Sequence, residues 1–286
     1  MSACGQIAKL RSRRPPLVIP DSIVYTAPGG RVPVQVKPGA TKKELLVLVP
    51  IYDYNPLRRI RYPYVNFALI AANVLIYFLF QERDIWNGND CAQAAISKAF
   101  GLLPLQLLGV PVNFEGCPVT GLPIPPLLTP LTYMFLHGSI WHLFGNMIFL
   151  WVFGDNVEDA LGHWRYLAFY LMCGIAGGLL FFAISPHSTV PLIGASGAIA
   201  GVVAAYLMLN PRVHMWVLVF DVIPVQLPAY FALGGWIVLN FALAFGHGDP
   251  AVAWFAHIGG LIAGGLLVIV MRQPGVPLFA APPKDA

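Results

Sequence analysis

Long apolar stretches follow one another from Tyr64 to Met271, and this feature constrains the fold more than any other. A helix needs about 20 apolar residues to cross a bilayer, and several of the stretches approach that length. Charged residues make up 10% of the 286 residues, whereas a soluble domain usually carries about 25%. Most of the chain is therefore expected to lie in lipid.

The apolar stretches predict an all-α polytopic membrane protein with six transmembrane helices. A long loop, 82–140, separates the first two of them. A loop of this length beside a membrane is more often functional than idle, so we expect it to contribute to the site. The predicted transmembrane helices are 64–81, 141–157, 164–184, 196–209, 228–245 and 251–271.

The segments outside these helices divide the chain further. An N-terminal extension, 1–60, is rich in Pro and Gly and carries a short β-like patch at 45–49. The membrane domain is predicted over 61–272 and a short tail over 273–286. Polar residues and a proline interrupt the stretch 211–227, which predicts that it lies at the membrane interface.

The basic residues predict the orientation of the chain in the lipid bilayer. Eleven of the 17 Lys and Arg residues precede Tyr64, and such residues are retained on the cytoplasmic side. With six spans both termini are cytoplasmic, and only Arg83 and Lys98 lie outside. The extension lacks the apolar core and cleavage site of a signal peptide. No nucleic-acid-binding motif occurs, so we expect no nucleic acid partner.

Polar residues occur near the starts of the second, fourth and sixth predicted spans. His142 and Asn146 lie four residues apart on one helical face, Ser196 opens the fourth span, and His257 lies in the sixth. Because even-numbered spans run in the same direction, these residues share one depth below the outer surface. Polar groups inside membrane helices are costly and mark function by default.

Glycines at four-residue spacing accompany these polar residues. Gly197 and Gly201 follow the serine, and Gly260 and Gly264 follow the histidine. Such pairs let two helices pack with their backbones nearly touching, as a hydrogen bond between serine and histidine requires. An alternative is a plain packing face formed by Gly194, Gly197 and Gly201, with the serine serving only as a helix–helix contact.

These residue types predict nucleophilic chemistry. A serine hydroxyl is a weak nucleophile until a base takes its proton, and His257 can do this for Ser196. No carboxylate lies at matching depth, so the sequence predicts a dyad. His142, Asn146 and the backbone amide of Ser196 can donate hydrogen bonds to the oxyanion that forms during attack on a carbonyl.

Histidines and cysteines leave two further interpretations open. His137, His142 and His257 offer imidazoles to a metal, but no H-E-x-x-H spacing occurs, so we expect neither metal nor cofactor. Cys91 and Cys117 both fall in the external loop. They form either a disulfide, if the outside is oxidising, or two free thiols.

Four short motifs occur in an order typical of one protein family. They are His142-x-x-x-Asn146, Gly154-x-x-x-Glu158-x-x-x-Gly162, Gly194-Ala195-Ser196-Gly197, and Ala256-His257-x-x-Gly260-x-x-x-Gly264. In these motifs, and over roughly 55–271, the chain resembles the rhomboid family of intramembrane serine proteases. The resemblance implies that Glu158 anchors the inner end of the fold and takes no part in the reaction.

The resemblance also implies a function. Ser196 would be the nucleophile, His257 the general base, and His142, Asn146 and the Ser196 amide the oxyanion hole. The substrates would be transmembrane segments of other proteins, cleaved near the outer face. The fifth span and the loop 246–250 would correspond to the part of the fold proposed to gate lateral entry of the substrate.

Trp236 and Phe231 would be candidate gate residues, although large apolar side chains in membrane helices usually just face lipid. Two features depart from the family pattern. Many members carry a Trp-Arg pair in the first loop, where this chain has Pro125-Pro126. Some members place a tyrosine beneath the histidine ring, where this chain has Ala200. Both departures leave the reacting groups in place.

Two other functions are alternatives for a sequence of this kind. The first is a non-catalytic rhomboid-like protein that binds membrane clients in quality control; such relatives usually lose the serine or the histidine, and both are present here. The second is a transporter, which would show ionisable groups across the midplane. The six-span layout without a transit peptide indicates a prokaryotic cytoplasmic membrane.

Overall fold

The computed structural model describes residues 22–27, 30–35, 48–81, 90–110, 124–219, 223–246 and 253–280. The chain divides into two compact units, Met1–Lys43 and Glu44–Ala286. The first contains an antiparallel pair of strands, β1 (Ser22–Ala27) and β2 (Gly30–Gln35). Cys117 and the Cys91 side chain lie outside the described residues, so the disulfide remains a prediction.

The second unit is mainly helical. Within the described residues its helices are α1 (Tyr64–Ile76, continued by a π-helical turn, Tyr77–Gln81), α2 (Asp90–Phe100), α3 (Pro104–Leu107), α4 (Thr129–Thr132), α5 (Ile140–Leu161), α6 (His163–Ile184), α7 (Ser196–Leu209), α8 (Ala229–Phe245) and α9 (Trp254–Met271). The chain is thus a helical membrane protein, as the sequence predicts.

Three described helices are long and apolar enough to cross a membrane: Tyr64–Gln81, His163–Ile184 and Trp254–Met271. A fourth span would combine Pro126–Phe135 with Ile140–Leu161, which are bent by 79° at a short break. The helices α7 and α8 are apolar but shorter. The 14 residues of α7 rise about 21 Å, less than the hydrocarbon core of about 30 Å. The count of six spans therefore stays a prediction.

The short helix α7 lies in the core of the helical unit, between α5, α6 and α9. Its small residues make this possible. A Cβ added to Gly260 would collide with the Gly197 carbonyl oxygen, and one added to Gly264 would collide with the Gly201 backbone. The two glycine pairs thus set α7 directly against α9, which aligns the starts of the two helices.

A three-stranded antiparallel sheet joins distant parts of the chain. Its order is β3 (Leu48–Asp53), β4 (His214–Val219), β5 (Ile223–Pro228). The interrupted stretch predicted at the membrane interface contains most of the β4 and β5 residues, and the predicted β-like patch, 45–49, overlaps β3 at residues 48 and 49. Because β3 pairs with β4, the compact helical unit begins at Glu44, whereas the sequence places the domain boundary near residue 60.

Glu158, near the end of α5, fixes the start of α1. Its carboxylate accepts hydrogen bonds from the backbone N–H groups of Val65 (3.1 Å) and Asn66 (2.7 Å) and contacts the His163 ring. The first N–H groups of a helix have no partner within the helix and attract negative charge. Glu158 therefore caps α1 from a different helix.

The neighbouring Asp159 fixes the segment before α1 in the same way. Its carboxylate accepts hydrogen bonds from the backbone N–H groups of Arg58, Arg59 and Ile60, at 2.6 to 3.2 Å. Gly162, with φ of +81°, ends α5 directly afterwards, in a conformation that favours glycine. Hydrogen bonds from main-chain N–H groups to the two carboxylates thus hold this end of α5 against the segment around the start of α1.

Candidate active site

Ser196 and His257 form a direct hydrogen bond. Ser196 is the first residue of α7, His257 lies in the first turn of α9, and the distance from Oγ to Nε2 is 2.8 Å. Both side chains are half-buried. The glycine contacts between α7 and α9 bring the two residues together from positions 61 apart in the chain.

A third residue, Asn240, completes this arrangement. Its Oδ1 lies 2.7 Å from Nδ1 of His257, and its side chain is 2% exposed. The sequence patterns that predicted the other site residues did not single out Asn240. The signal that identified the other polar residues applied to it as well, because Asn240 is an amide in the otherwise apolar fifth span. It was missed because it stands alone, without a partner at helical spacing.

Two tryptophans contact the imidazole of His257. Trp236 is nearly parallel to it, with ring centroids 6.2 Å apart at 26°, and Trp254 meets it edge to face at 5.7 Å. Trp236 also packs against the small cluster that includes Ala200. The position where some family members carry a tyrosine is thus alanine here, and an aromatic ring from α8 lies beside the histidine.

The two proposed gate residues therefore differ in orientation. Trp236 packs against the core and the histidine, whereas the Phe231 side chain is 63% exposed on the surface of α8. A role for either in gating stays a prediction.

His142 lies on the other side of the serine, against Gly194. Gly194 has a φ of +124°, and its N–H donates to the Tyr133 carbonyl at 3.0 Å. A Cβ at this position would lie 2.8 Å from both Cε1 and Nε2 of His142 and 3.7 Å from Oγ of Ser196. Gly194 thus keeps a narrow space open between the imidazole and the serine.

The proton on His142 is positioned for donation into that space. The backbone N–H of Gly138 donates a long hydrogen bond, 3.4 Å, to Nδ1 of His142. Since Nδ1 accepts, a neutral ring carries its proton on Nε2, which faces Gly194. The imidazole of His142 is therefore a donor beside Ser196.

Asn146 adds a second side-chain donor. It lies one turn after His142 on α5 and is 7% exposed, and its Nδ2 has no hydrogen-bond partner among the described residues. Because Ser196 is the first residue of α7, its backbone N–H also lacks an acceptor within the helix. Together these groups can stabilise negative charge on an atom bound next to the serine.

His137 remains without an assigned role. Its ring is fully buried, meets His142 edge to face at 5.2 Å, and neither ring nitrogen has a partner within the described segments. Its backbone exchanges two hydrogen bonds of 2.9 Å with the side chain of Gln81. Across those segments, no three His, Cys, Asp or Glu side chains are close enough to hold a metal ion.

Comparisons with known proteins identify the family to which the chain belongs. The Rhomboid domain family matches residues 127–274. The mitochondrial rhomboid protein 1 of Saccharomyces cerevisiae is 34% identical over 69% of this chain and 50% of its own length. The rhomboid protease GluP of Bacillus subtilis is 33% identical over 76% of this chain and 36% of its own length.

A third relative, the rhomboid-related protein 1 of Caenorhabditis elegans, is 31% identical over 71% of this chain and 53% of its own length. The chain thus spans about half, or less, of the length of these relatives. The matched region contains α5 to α9, which carry every residue of the site. On this match, which covers more than half of its residues, the chain belongs to the rhomboid family.

Proposed function

We propose that the chain is an intramembrane serine endopeptidase that cleaves transmembrane segments of other membrane proteins near the outer face of the bilayer. Ser196 is the nucleophile and His257 the general base. His142, Asn146 and the backbone amide of Ser196 form the oxyanion hole. Membership of a family that contains a named protease supports the reaction class.

The observation that carries the proposal is the hydrogen bond of 2.8 Å between Ser196 Oγ and His257 Nε2, together with the His142 imidazole against Gly194 and an Asn146 amide nitrogen without a partner among the described residues. A serine that only joined two helices would need the histidine alone. It would not need a glycine of positive φ that keeps His142 apart, nor a buried amide without a partner. The donors are explained by an oxyanion that binds among them.

The reaction proceeds in two halves. In the first, Oγ of Ser196 attacks the scissile carbonyl while its proton moves to Nε2 of His257. The oxyanion accepts hydrogen bonds from His142, Asn146 and the Ser196 amide, and the peptide bond breaks as His257 protonates the leaving amine. In the second half, water attacks the acyl-enzyme while His257 takes its proton, and His257 then returns that proton to Oγ of Ser196 as the ester bond breaks.

The substrate must expose a carbonyl to the serine. In lipid, every carbonyl of a regular helix is hydrogen-bonded within that helix. We therefore expect cleavage where a transmembrane helix is locally unstable. Lateral entry beside α8 fits its packing, since only four of its 17 residues are buried, compared with 11 of 14 in α7.

The compartment and topology are part of the proposal. The chain is integral to the membrane, and its basic residues favour cytoplasmic termini in a prokaryotic inner membrane. Similar proteins include mitochondrial ones, however, so the membrane has to be determined by experiment. Reporter fusions at the N-terminus and in the loop 82–140 would place each on one side.

The test is cleavage of a single-span reporter protein by the purified protein in liposomes. Wild type, Ser196→Ala and His257→Ala are compared on a gel for a fragment cut near the membrane boundary. We expect cleavage by wild type and none by either variant. Equal cleavage by all three would show a contaminating protease. Retained binding of the reporter without cleavage by wild type would favour the client-binding function.

A further inference from the structure

We propose that Asn240 is a positioning residue for His257, which holds the imidazole in the one tautomer that can accept the serine proton. This inference rests on the proposed function, because it explains how the histidine acts as a base. It also extends the predicted dyad to a chain of three residues, Ser196, His257 and Asn240, which come from α7, α9 and α8.

The first step is the orientation of the Asn240 amide. Nδ2 donates a hydrogen bond of 2.8 Å to the Trp236 carbonyl, one turn earlier on α8. That carbonyl can only accept, so a flipped amide would set two acceptor oxygens against each other. The neighbour therefore fixes the orientation, and Oδ1 faces Nδ1 of His257.

The second step is the tautomer of His257. Because Oδ1 of Asn240 can only accept, Nδ1 of His257 must carry the proton. A neutral imidazole then has its lone pair on Nε2, which lies 2.8 Å from Oγ of Ser196. The hydroxyl donates to Nε2, and this is the path along which the proton leaves during attack.

The third step is the choice of an amide. Asn240 is 2% exposed on a helix whose other residues are apolar or glycine. An ionised carboxylate at this position would be costly in lipid. The amide orients the imidazole by the same kind of hydrogen bond without introducing a charge.

Besides the hydrogen bond to Ser196, two of the three contacts described on the imidazole come from one helix, α8, and the third, from Trp254, comes from α9. Asn240 fixes the ring by a hydrogen bond and Trp236 lies nearly parallel to it, and both belong to α8. The imidazole is therefore held by the helix that has few buried residues, whereas Ser196 belongs to the buried helix α7. Displacement of α8 would therefore remove the hydrogen bond from His257 to Asn240 and the parallel ring of Trp236.

The variant Asn240→Leu removes the hydrogen bond and keeps a similar volume. The chain also offers a matched control. Asn73 on α1 is fully buried and donates the same bond, 2.8 Å, to the carbonyl four residues before it, and within the described residues this side-chain bond stays inside its own helix. Asn73→Leu therefore reports what the loss of a buried helical amide does to the fold alone.

We expect Asn240→Leu to lower kcat about ten- to a hundredfold, a part of what a general base contributes, with KM unchanged. Asn73→Leu should leave kcat within about twofold of wild type in the protein that remains folded. An unchanged kcat in Asn240→Leu, or an effect on KM alone, would overturn the proposal.

A second measurement does not depend on cleavage. Nitrogen-15 spectra of the imidazoles in the detergent-solubilised protein, assigned with His257→Ala, report which ring nitrogen carries the proton. We expect Nδ1 to be protonated in wild type and a mixture of tautomers in Asn240→Leu. A proton on Nε2 of wild type, or no change in the variant, would overturn the proposal. If wild type shows this tautomer yet cleaves nothing, the proposed function fails and the positioning role stands.

Discussion

The two ends of α5 hold their polar residues in opposite ways. At its C-terminal end, Glu158 and Asp159 accept hydrogen bonds from backbone N–H groups of the segment around the start of α1. About 18–24 Å away along the helix, His142 lies against Gly194, and Asn146 follows it by one turn with an amide nitrogen that has no partner within the described residues.

The difference separates stability from chemistry. A buried polar group with all its hydrogen bonds made holds the fold together, and removing it leaves its partners unsatisfied. A buried group without a partner costs stability, and its retention needs another explanation. In this protein the satisfied carboxylates are expected to be structural, and the unsatisfied donors are expected to bind a transition state.

The largest effect on activity is expected at Asn146, whose amide nitrogen has no partner among the described residues. Asn146→Leu should lower kcat about 10²–10³-fold, the usual loss for one oxyanion-hole donor. The free energy of unfolding should stay the same or rise, because the amide nitrogen gives up no hydrogen bond. Cleavage kinetics and unfolding in sodium dodecyl sulfate measure the two quantities. A large loss of stability with unchanged kcat would show that Asn146 is structural, contrary to this expectation.

At Glu158, at the C-terminal end of α5, we expect a loss of stability with little change in activity. Glu158→Gln should lower the free energy of unfolding by about 1.5–3 kcal/mol, since the hydrogen bonds from Val65 and Asn66 lose a charged acceptor. The variant that remains folded should keep a kcat close to wild type. A variant that is stable but inactive would show that Glu158 takes part in the reaction, contrary to its expected structural role.

The packing of α7 against α9 brings Ser196 to His257. Substitution of two adjacent glycines on α9 tests this packing. Gly264→Ala should destabilise the protein by about 1–3 kcal/mol, because its Cβ collides with the Gly201 backbone. Gly265→Ala is the control, since its Cβ would meet only the Met208 sulfur, at 3.6 Å. Thermal unfolding of both variants checks this, and equal loss in both would contradict the packing argument.

The smallest effect, taken per pH unit, is expected at Asp53, on the sheet. Burial raises its pKa to about 7, although a hydrogen bond of 2.5 Å from Tyr206 opposes this and Asp155 adds to it. The folded state therefore holds a proton that the unfolded state releases near pH 4. Stability should fall as pH rises from about 4 to 7 and then level off, by less than about 1.4 kcal/mol per unit for this proton.

Unfolding measured across this pH range in wild type and Asp53→Asn isolates that contribution. The variant cannot release the proton, so its slope over the range should be smaller than that of wild type. Equal slopes in the two proteins would assign the pH dependence to other groups.

The sequence predicted most of the helices and the polar residues of the site. His142 and Asn146 share a helical face, and Ser196 and His257 begin helices that run in the same direction, so simple periodicity aligned them. The glycine spacing predicted the contact between α7 and α9. These features depend on residues close in the chain or on the regular length of membrane helices.

Other features depend on contacts that no local pattern encodes. The pairing of β3 with β4 joins segments more than 150 residues apart, and the register of a strand does not reveal its partner. Trp236 was a candidate gate residue, but in the structure it lies beside His257. Asn240 looked like an isolated amide until the fold set its Oδ1 against the imidazole.

The most direct test of Ser196 as the nucleophile is covalent labelling of its hydroxyl. The folded protein is treated with a fluorophosphonate, which reacts with activated serines, and the modified peptide is mapped by mass spectrometry. We expect one modified residue, Ser196, with labelling lost in His257→Ala and reduced in Asn240→Leu. Labelling of Ser196 that persists in His257→Ala would contradict the role of His257 as the base. The absence of labelling in folded wild-type protein would contradict the role of Ser196 as the nucleophile.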